Sequence, residues 1–227
     1  MRRDADARAV IFDMDGVMVQ TAPQHFAAWR RALATVGYEL TEDEFRATFG
    51  MRNQEIIRHL LGESIGEARV AELARLKEEH YRALVGKGIE PAPGLLPLLR
   101  QLRERGFRLA VGTSAPRENV ELILNALGIG GQFDAVVAEE DVERGKPHPD
   151  AFLLAAERCG VDSKRCVVIE DAPSGLAAAR AAGMKCIGVA GPRKREELRQ
   201  ADLVVDNLME LDVTTIERLL EGGSDHR

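Results

Sequence analysis

Cysteine is scarce in this chain: Cys159, Cys166 and Cys186 are the three among 227 residues. They are too few and too irregularly spaced for a disulfide framework, and no pair has zinc-ligand spacing. A reducing compartment, the cytoplasm, is the expectation. Long apolar runs are missing too, since none approaches the ~18 residues of a spanning helix. The opening stretch Met1 to Arg8 alternates Arg, Asp and Ala with no apolar segment behind it, so neither a signal peptide nor an anchor is expected. Positive charge does not dominate. Lys and Arg number 31 against 37 Asp and Glu, a net charge of -6, which argues against a nucleic-acid partner because phosphate backbones are gripped by clustered Lys and Arg. A small anionic partner remains compatible with a local cluster of positive charge.

What is present is an ordinary globular composition, 45% hydrophobic and 30% charged. A chain of this length buries roughly 70% of its unfolded surface without help from a metal clip. Short apolar runs ending in acidic or hydroxyl residues recur at Ala9–Asp13, Arg108–Thr113, Ala135–Glu139, Cys166–Asp171, Cys186–Ala190 and Asp202–Asp206, and read as buried strands. From Pro93 onward they alternate with helical stretches at Gly94–Arg105, Pro116–Leu127, Asp150–Cys159 and Ser174–Ala182. That alternation predicts an α/β fold, a doubly wound parallel sheet with a Rossmann-like core. Residues 21 to 88 break the rhythm: Phe26, Trp29, Arg30 and Leu33, then Ile56, Ile57, Leu60 and Leu61, follow helical periodicity with no strand between them. This is far longer than a βα crossover needs. The division expected is a core of residues 1–20 and 91–227 with an inserted helical cap subdomain at 21–90, hinged near Val19–Thr21 and Glu90–Gly94, and a frayed tail from Glu221 to Arg227.

Chemistry concentrates at strand ends. Ala9-Val10-Ile11-Phe12-Asp13-Met14-Asp15-Gly16 puts two carboxylates where an apolar strand stops, and Glu170-Asp171 ends another. Ligands of open α/β sheets bind beyond the carboxyl ends of strands. If these strands are neighbours, up to four carboxylates converge, a cluster that repels itself unless a cation is present, and oxygen ligands favour Mg²⁺. Taken alone, Asp13 or Asp171 reads equally well as a cap of the following turn. Thr113, in Gly112-Thr113-Ser114-Ala115-Pro116, precedes a helix start, where amide hydrogens hold phosphate; an ordinary N-cap is the competing reading. Lys146, in Gly145-Lys146-Pro147-His148-Pro149, sits between prolines that fix the backbone, a setting for a directed ammonium that offsets carboxylates and phosphate together.

The ordered set Asp13-x-Asp15-Gly16, Thr113, Lys146, Glu170-Asp171 resembles the haloacid dehalogenase superfamily, and the strings Gly145-Lys146-Pro147-x-Pro149, Glu170-Asp171-Ala172-Pro173-Ser174-Gly175-Leu176 and Ala181-Ala182-Gly183-Met184 resemble its β-phosphoglucomutase branch. The resemblance covers nearly the whole chain. It implies that Asp13 is a nucleophile forming an aspartyl phosphate, and that Asp15 protonates the leaving alkoxide and then activates water, a role calling for a raised pKa. It further implies Mg²⁺ held by Asp13, the backbone carbonyl of Asp15 and Asp171, with Glu170 reached through water, and phosphoryl oxygens gripped by Thr113 and Lys146. Asp15 argues for phosphate-ester chemistry, because dehalogenating and phosphonate-cleaving members lack the second Asp.

The segment between the hinges resembles the helical cap of the same branch, which closes over the sheet. By that resemblance Arg52 and Lys77 meet the distal part of the substrate, His25 links cap position to Asp15, and Ser114 and Arg117 adjoin the substrate. From the residues alone, Lys77 also reads as a solvated, paired lysine, Trp29 as cap core, and His25 as an ordinary polar helix position. The chain departs from the branch at Gln20, where an Asp is usual, and at Ala115-Pro116-Arg117, where the mutases carry a Ser-Lys-Asn-like run for a second phosphate. The expectation is therefore a monomeric phosphatase acting on a small phosphorylated metabolite, a sugar phosphate, with neither nucleic acid nor membrane as partner. A phosphomutase is the alternative within the class, and a receiver-like phosphoacceptor module the alternative outside it.

Overall fold

The chain is described here by a computed structural model covering residues 6–191 and 193–222; most of the stretch read as lacking a leader, and the last part of the tail read as frayed, lie outside the described residues. The elements run β1 (Ala9–Phe12), α1 (Ala22–Ala34), α2 (Glu42–Thr48), α3 (Asn53–Leu61), α4 (Glu67–Val85), α5 (Leu95–Glu104), β2 (Arg108–Gly112), α6 (Arg117–Leu127), β3 (Ala135–Val137), α7 (Asp150–Cys159), β4 (Cys166–Glu170), α8 (Pro173–Ala181), β5 (Lys185–Val189), β6 (Leu203–Val205) and α9 (Val213–Leu220). The strands form a six-stranded sheet ordered β3-β2-β1-β4-β5-β6, and every pairing is parallel.

Both faces of β1 are covered, which is why its sequence is continuously apolar rather than alternating. Val10 and Phe12 join a cluster with Leu98, Val120, Ile123 and Ile216 of α5, α6 and α9. Ala9 and Ile11 point the other way, into a cluster with Phe152 and Leu176 of α7 and α8. The result is the Rossmann-like α/β sandwich that the strand and helix alternation predicts, with strand ends differing by a residue or two from the sequence reading. Register aligns the ends of the central strands. Phe12 lies beside Val111 on one flank and Ile169 on the other, so Asp13 and Glu170 emerge at one level at the carboxyl end of the sheet and Thr113 one residue further along.

Helices α1 to α4 build a separate apolar cluster from Trp29, Leu33, Ile56, Ile57 and Leu73. Their two connections to the sheet run side by side: Val19 bridges Pro91 antiparallel, and the Ala92 amide donates to the Met18 carbonyl at 2.8 Å. α2 is fixed by a capping box in which Thr41 and Glu44 satisfy one another's backbone amides.

Candidate active site

At the carboxyl ends of β1 and β4, Asp13, Glu170 and Asp171 are all buried, and a ligand oxygen from each lies within 4.8 Å of the others. β1 delivers Asp13, whose amide donates to the Ile169 carbonyl at 3.0 Å, while β4 and the turn after it deliver the other two. Lys146, reached through a cis Lys146-Pro147 peptide, places its ammonium 2.7 Å from Asp13 Oδ1 and 2.6 Å from Glu170 Oε1. Burial and the charges of Glu170 and Asp15 push the Asp13 carboxyl up to about 7, against the pull of Lys146. Asp171 is driven well above the carboxylate range by burial and by Glu170 and Asp13. Lys146 moves upward as well: burial works against its charge, and the two carboxylates outweigh burial.

The donor set suits a divalent cation. All its atoms are oxygens, three acidic groups outnumber the Lys146 ammonium and the charge of the nearby Arg193, and the buried Asp171 Oδ2 has no hydrogen-bond partner, an expensive omission unless something positive meets it. The backbone also makes room there: a Cβ at Gly16 would stand 2.2 Å from Asp171 Oδ2. Glu170 is differently placed. Its Oε1 takes Lys146 and its Oε2 the Ala172 amide at 2.6 Å.

The Asp15 side chain does not join this group. Thr21 donates to its Oδ1, Tyr81 donates to the same atom at 3.2 Å, and His25 Nε2 stands 3.1 Å away, off the line of a hydrogen bond. Burial would raise the carboxyl, but His25, Thr21 and the more distant Lys77 outweigh it and bring it down to about 2. This corrects the expectation of a raised pKa at Asp15: surrounding donors, rather than like charges, decide its resting state. His25 stacks on Tyr81 with ring centroids 4.0 Å apart, and its pKa falls below 6.5 through burial and the nearby Lys77 charge. Thr113 is buried beside Asp13, its hydroxyl accepting from the Ala115 amide at 3.2 Å.

A cavity of about 50 Å³ separates this end of the sheet from α1 to α4, lined among others by Asp13, Asp15, His25, Lys77, Ser114 and Lys146. Ser114 and Lys77 therefore face the same space as the carboxylates. Lys77 is buried rather than solvated, paired at 2.7 Å with its neighbour Glu78 and lying 5.5 Å from the Trp29 ring and 5.1 Å from that of Tyr81. The structure does not bring Arg52 and Arg117 to the cavity. Arg52 donates to the carbonyls of Glu143 at 2.9 Å, Glu139 at 3.1 Å and Val142 at 2.8 Å, a fork-shaped donor meeting several acceptors at once. Arg117 turns to Asp141, and its amide donates to Glu140. Gln20 bonds the Gly16 carbonyl at 3.0 Å.

No role was assigned from sequence to Tyr81, Glu78 or Asn53, although they lie in strings, Gly50-Met51-Arg52-Asn53 and Leu76-Lys77-Glu78-Glu79-His80-Tyr81, that resemble the mutase branch, and Asn119 was not singled out. Glu78 accepts from Asn53 at 2.7 Å and from Asn119 at 2.6 Å. Burial works against its charge, yet Lys77 and the two amides outweigh burial and hold the carboxyl below its ordinary value. The Tyr81 hydroxyl is driven upward by burial and by Asp15, so it serves as a donor. A Tyr four residues beyond Lys77 on one helical face was the available signal.

Fold and site together define a hydrolase of the phosphoryl-transfer kind, and the chain matches the haloacid dehalogenase-like hydrolase family over residues 7–183. It belongs to that family. Among characterised relatives, a fructose-1-phosphate phosphatase of Escherichia coli (strain K12) is 38% identical over 79% of this chain and 95% of its own length. The β-phosphoglucomutase of Bacillus subtilis (strain 168) is 32% identical over 97% of both chains. The crystal structure of β-phosphoglucomutase from Clostridium difficile superposes with a TM-score of 0.88 at 29% identity, covering 95% of this chain and 98% of that one. The chain is thus an enzyme of the phosphatase or phosphomutase type.

Proposed function

We propose that this enzyme is a Mg²⁺-dependent phosphatase that hydrolyses a small phosphorylated metabolite, a sugar monophosphate, through an aspartyl phosphate on Asp13. The observation that carries the reading is the buried Lys146 ammonium bound to Asp13 and Glu170, beside the unpartnered oxygen of Asp171. Asp13 and Asp171, with the backbone carbonyl of Asp15, would hold the ion, and Glu170, its oxygens already engaged, would reach it through water. When bound, Mg²⁺ supplies positive charge to the phosphoryl oxygens.

The chain's own groups perform the transfer. Thr113, nearby amides and Lys146 hold the phosphoryl group in line with Asp13. An Asp13 oxygen attacks phosphorus, the bond to the ester oxygen breaks, and that oxygen takes a proton from Asp15. Asp15 is ionised at rest, so it must gain that proton as substrate binds, and a phosphoryl dianion arriving in a closed, drier site favours its neutral form. Water then attacks phosphorus of the phosphoenzyme and gives its proton to Asp15, while the bond from phosphorus to the Asp13 oxygen breaks, leaving inorganic phosphate and the free Asp13 carboxylate. His25 and Tyr81, both reaching Asp15, orient it for the two steps. The cysteines Cys159, Cys166 and Cys186 are unpaired, which suits a reducing compartment. Among the described residues, no helix is long and apolar enough to cross a membrane.

The full-length likeness to β-phosphoglucomutase favours a second reading, a sugar phosphomutase. A mutase must also hold a second phosphate, and the three cations expected to do so are engaged: Arg52 by carbonyls and Arg117 by Asp141, away from the cavity, and Lys77, on the cavity wall, by Glu78. The experiment is a phosphate-release screen on sugar phosphates beside a coupled assay converting β-glucose 1-phosphate to glucose 6-phosphate. Mg²⁺-dependent phosphate release is expected, and Asp13→Asn should abolish it. Release that survives Asp13→Asn refutes the nucleophile, and fast isomerisation without release selects the mutase.

A further inference from the structure

The α4 wall of the cavity carries a buried anion. Lys77 and Glu78 are 3% and 6% exposed, and Glu78 lines the same cavity as Asp13 and Asp15. Consecutive helical residues ordinarily face different ways, but this part of α4 is enclosed by α1 on one side and α6 on another. The Glu78 carboxylate receives three donors, Lys77 and Asn53 on Oε1 and Asn119 on Oε2, out of roughly four acceptor sites. One acceptor site remains for a substrate hydroxyl. The charge at this wall is one ammonium against one carboxylate, with no surplus cation to meet a dianion.

We propose that Glu78 is a specificity-determining residue: by neutralising Lys77 and presenting a carboxylate to the pocket, it selects substrates with a single phosphate and a neutral, hydroxylated remainder, and it rejects bisphosphates. The inference rests on the phosphatase reading and names its substrate class. A second phosphate at this wall would confront Glu78 at short range, and like charges opposed in a site cost enough to set specificity. Donors on a polyol instead match the free acceptor capacity of Glu78.

The test measures binding separately from turnover. In an Asp13→Asn background, which cannot form the phosphoenzyme, titration calorimetry with Mg²⁺ compares fructose 1-phosphate with fructose 1,6-bisphosphate. The monophosphate should bind about tenfold tighter or more, and adding Glu78→Gln should tighten the bisphosphate about tenfold while moving the monophosphate about threefold at most. Equal affinities, tighter bisphosphate binding, or no measurable monophosphate binding overturns the proposal. So does a ratio unmoved by Glu78→Gln. Should that variant not fold, the ratio in the Asp13→Asn background decides alone. Failure of the phosphatase reading looks different: the unmutated enzyme releases phosphate from neither ester, while the binding ratio remains readable.

Discussion

Gly16 and Gly175 mark where the backbone must come closer to an acidic side chain than any Cβ allows. A Cβ at Gly175 would stand 1.8 Å from Glu170 Oε1, and one at Gly16 would stand 2.2 Å from Asp171 Oδ2. Gly16 also has φ +87, a conformation that costs a residue with a side chain on the order of 1–3 kcal/mol. Gly16→Ala should therefore displace Asp171 rather than unfold the chain. The expected outcome is a loss of phosphate release of about a hundredfold or more, in line with the known cost of a small misplacement of catalytic groups. The melting temperature should fall by only a few degrees, about what 1 kcal/mol produces in a chain of this length. Mg²⁺ titration and calorimetric melting check both; full activity in Gly16→Ala would show that the close approach to Asp171 does not matter.

Among the elements, α3 and the segment 139–146 form a coupled pair. Arg52, at the start of α3, spans the carbonyls of Glu139, Val142 and Glu143, and a Cβ on Gly145 would stand 2.7 Å from Arg52 Nε. Lys146 is the next residue, so the guanidinium packs closely against the loop that carries the ammonium bonded to Asp13. Hydrogen bonds from a charged donor contribute about 1.5–3 kcal/mol each. Arg52→Ala should accelerate hydrogen exchange at the amides of 139–146 and lower kcat/KM about tenfold or more, with little change in exchange within β1 and β4. Unchanged exchange in that loop would show that Arg52 does not hold it. Here also lies the limit of what the sequence discloses. Strand ends were legible because a central parallel strand is apolar along its whole length, and Asp13, Lys146, Glu170 and Asp171 because they stand where such strands or a proline-fixed loop stop. Arg52, Arg117 and Lys77 were legible as cations only. What a long side chain pairs with depends on carbonyls and carboxylates that are distant in sequence, such as Asp141, and no spacing rule reports those.

At the scale of the whole molecule, the acidic cluster ties folding to pH and, on the proposed reading, to the divalent ion. The carboxyl of Asp13 has an ordinary value of 3.8 and stands at about 7 in the folded chain, and Asp171 is raised in the same direction. Between those values these groups hold more protons in the folded state than in the unfolded one, so their contribution to metal-free stability falls as pH rises from about 4 to about 7; His25, lowered below 6.5, contributes with the opposite sign as pH rises toward 6.5 and is outnumbered. Asp15 has the opposite sign: its carboxyl, lowered to about 2, stabilises the fold fully above its unfolded value near 4 and loses that contribution only as pH drops from there toward 2, outside the window. Glu139, raised to about 7 by burial despite Arg52, adds to the same decline but lies away from the oxygens that would hold the ion. On the proposed reading, Mg²⁺ would bind the ionised carboxylates of the folded state and stabilise it by mass action, with protons competing. Melting in EDTA should therefore show a lower midpoint at about pH 7.5 than at about pH 5. Excess Mg²⁺ should raise the midpoint by several degrees at the higher pH and hardly at all at the lower, leaving the smaller share due to Glu139 in place. Asp13→Asn, which removes one proton-binding group and one ligand, should flatten the metal-free decline and shrink the Mg²⁺ shift together. A Mg²⁺ shift of equal size at both pH values would mean that the ion binds somewhere other than Asp13 and Asp171.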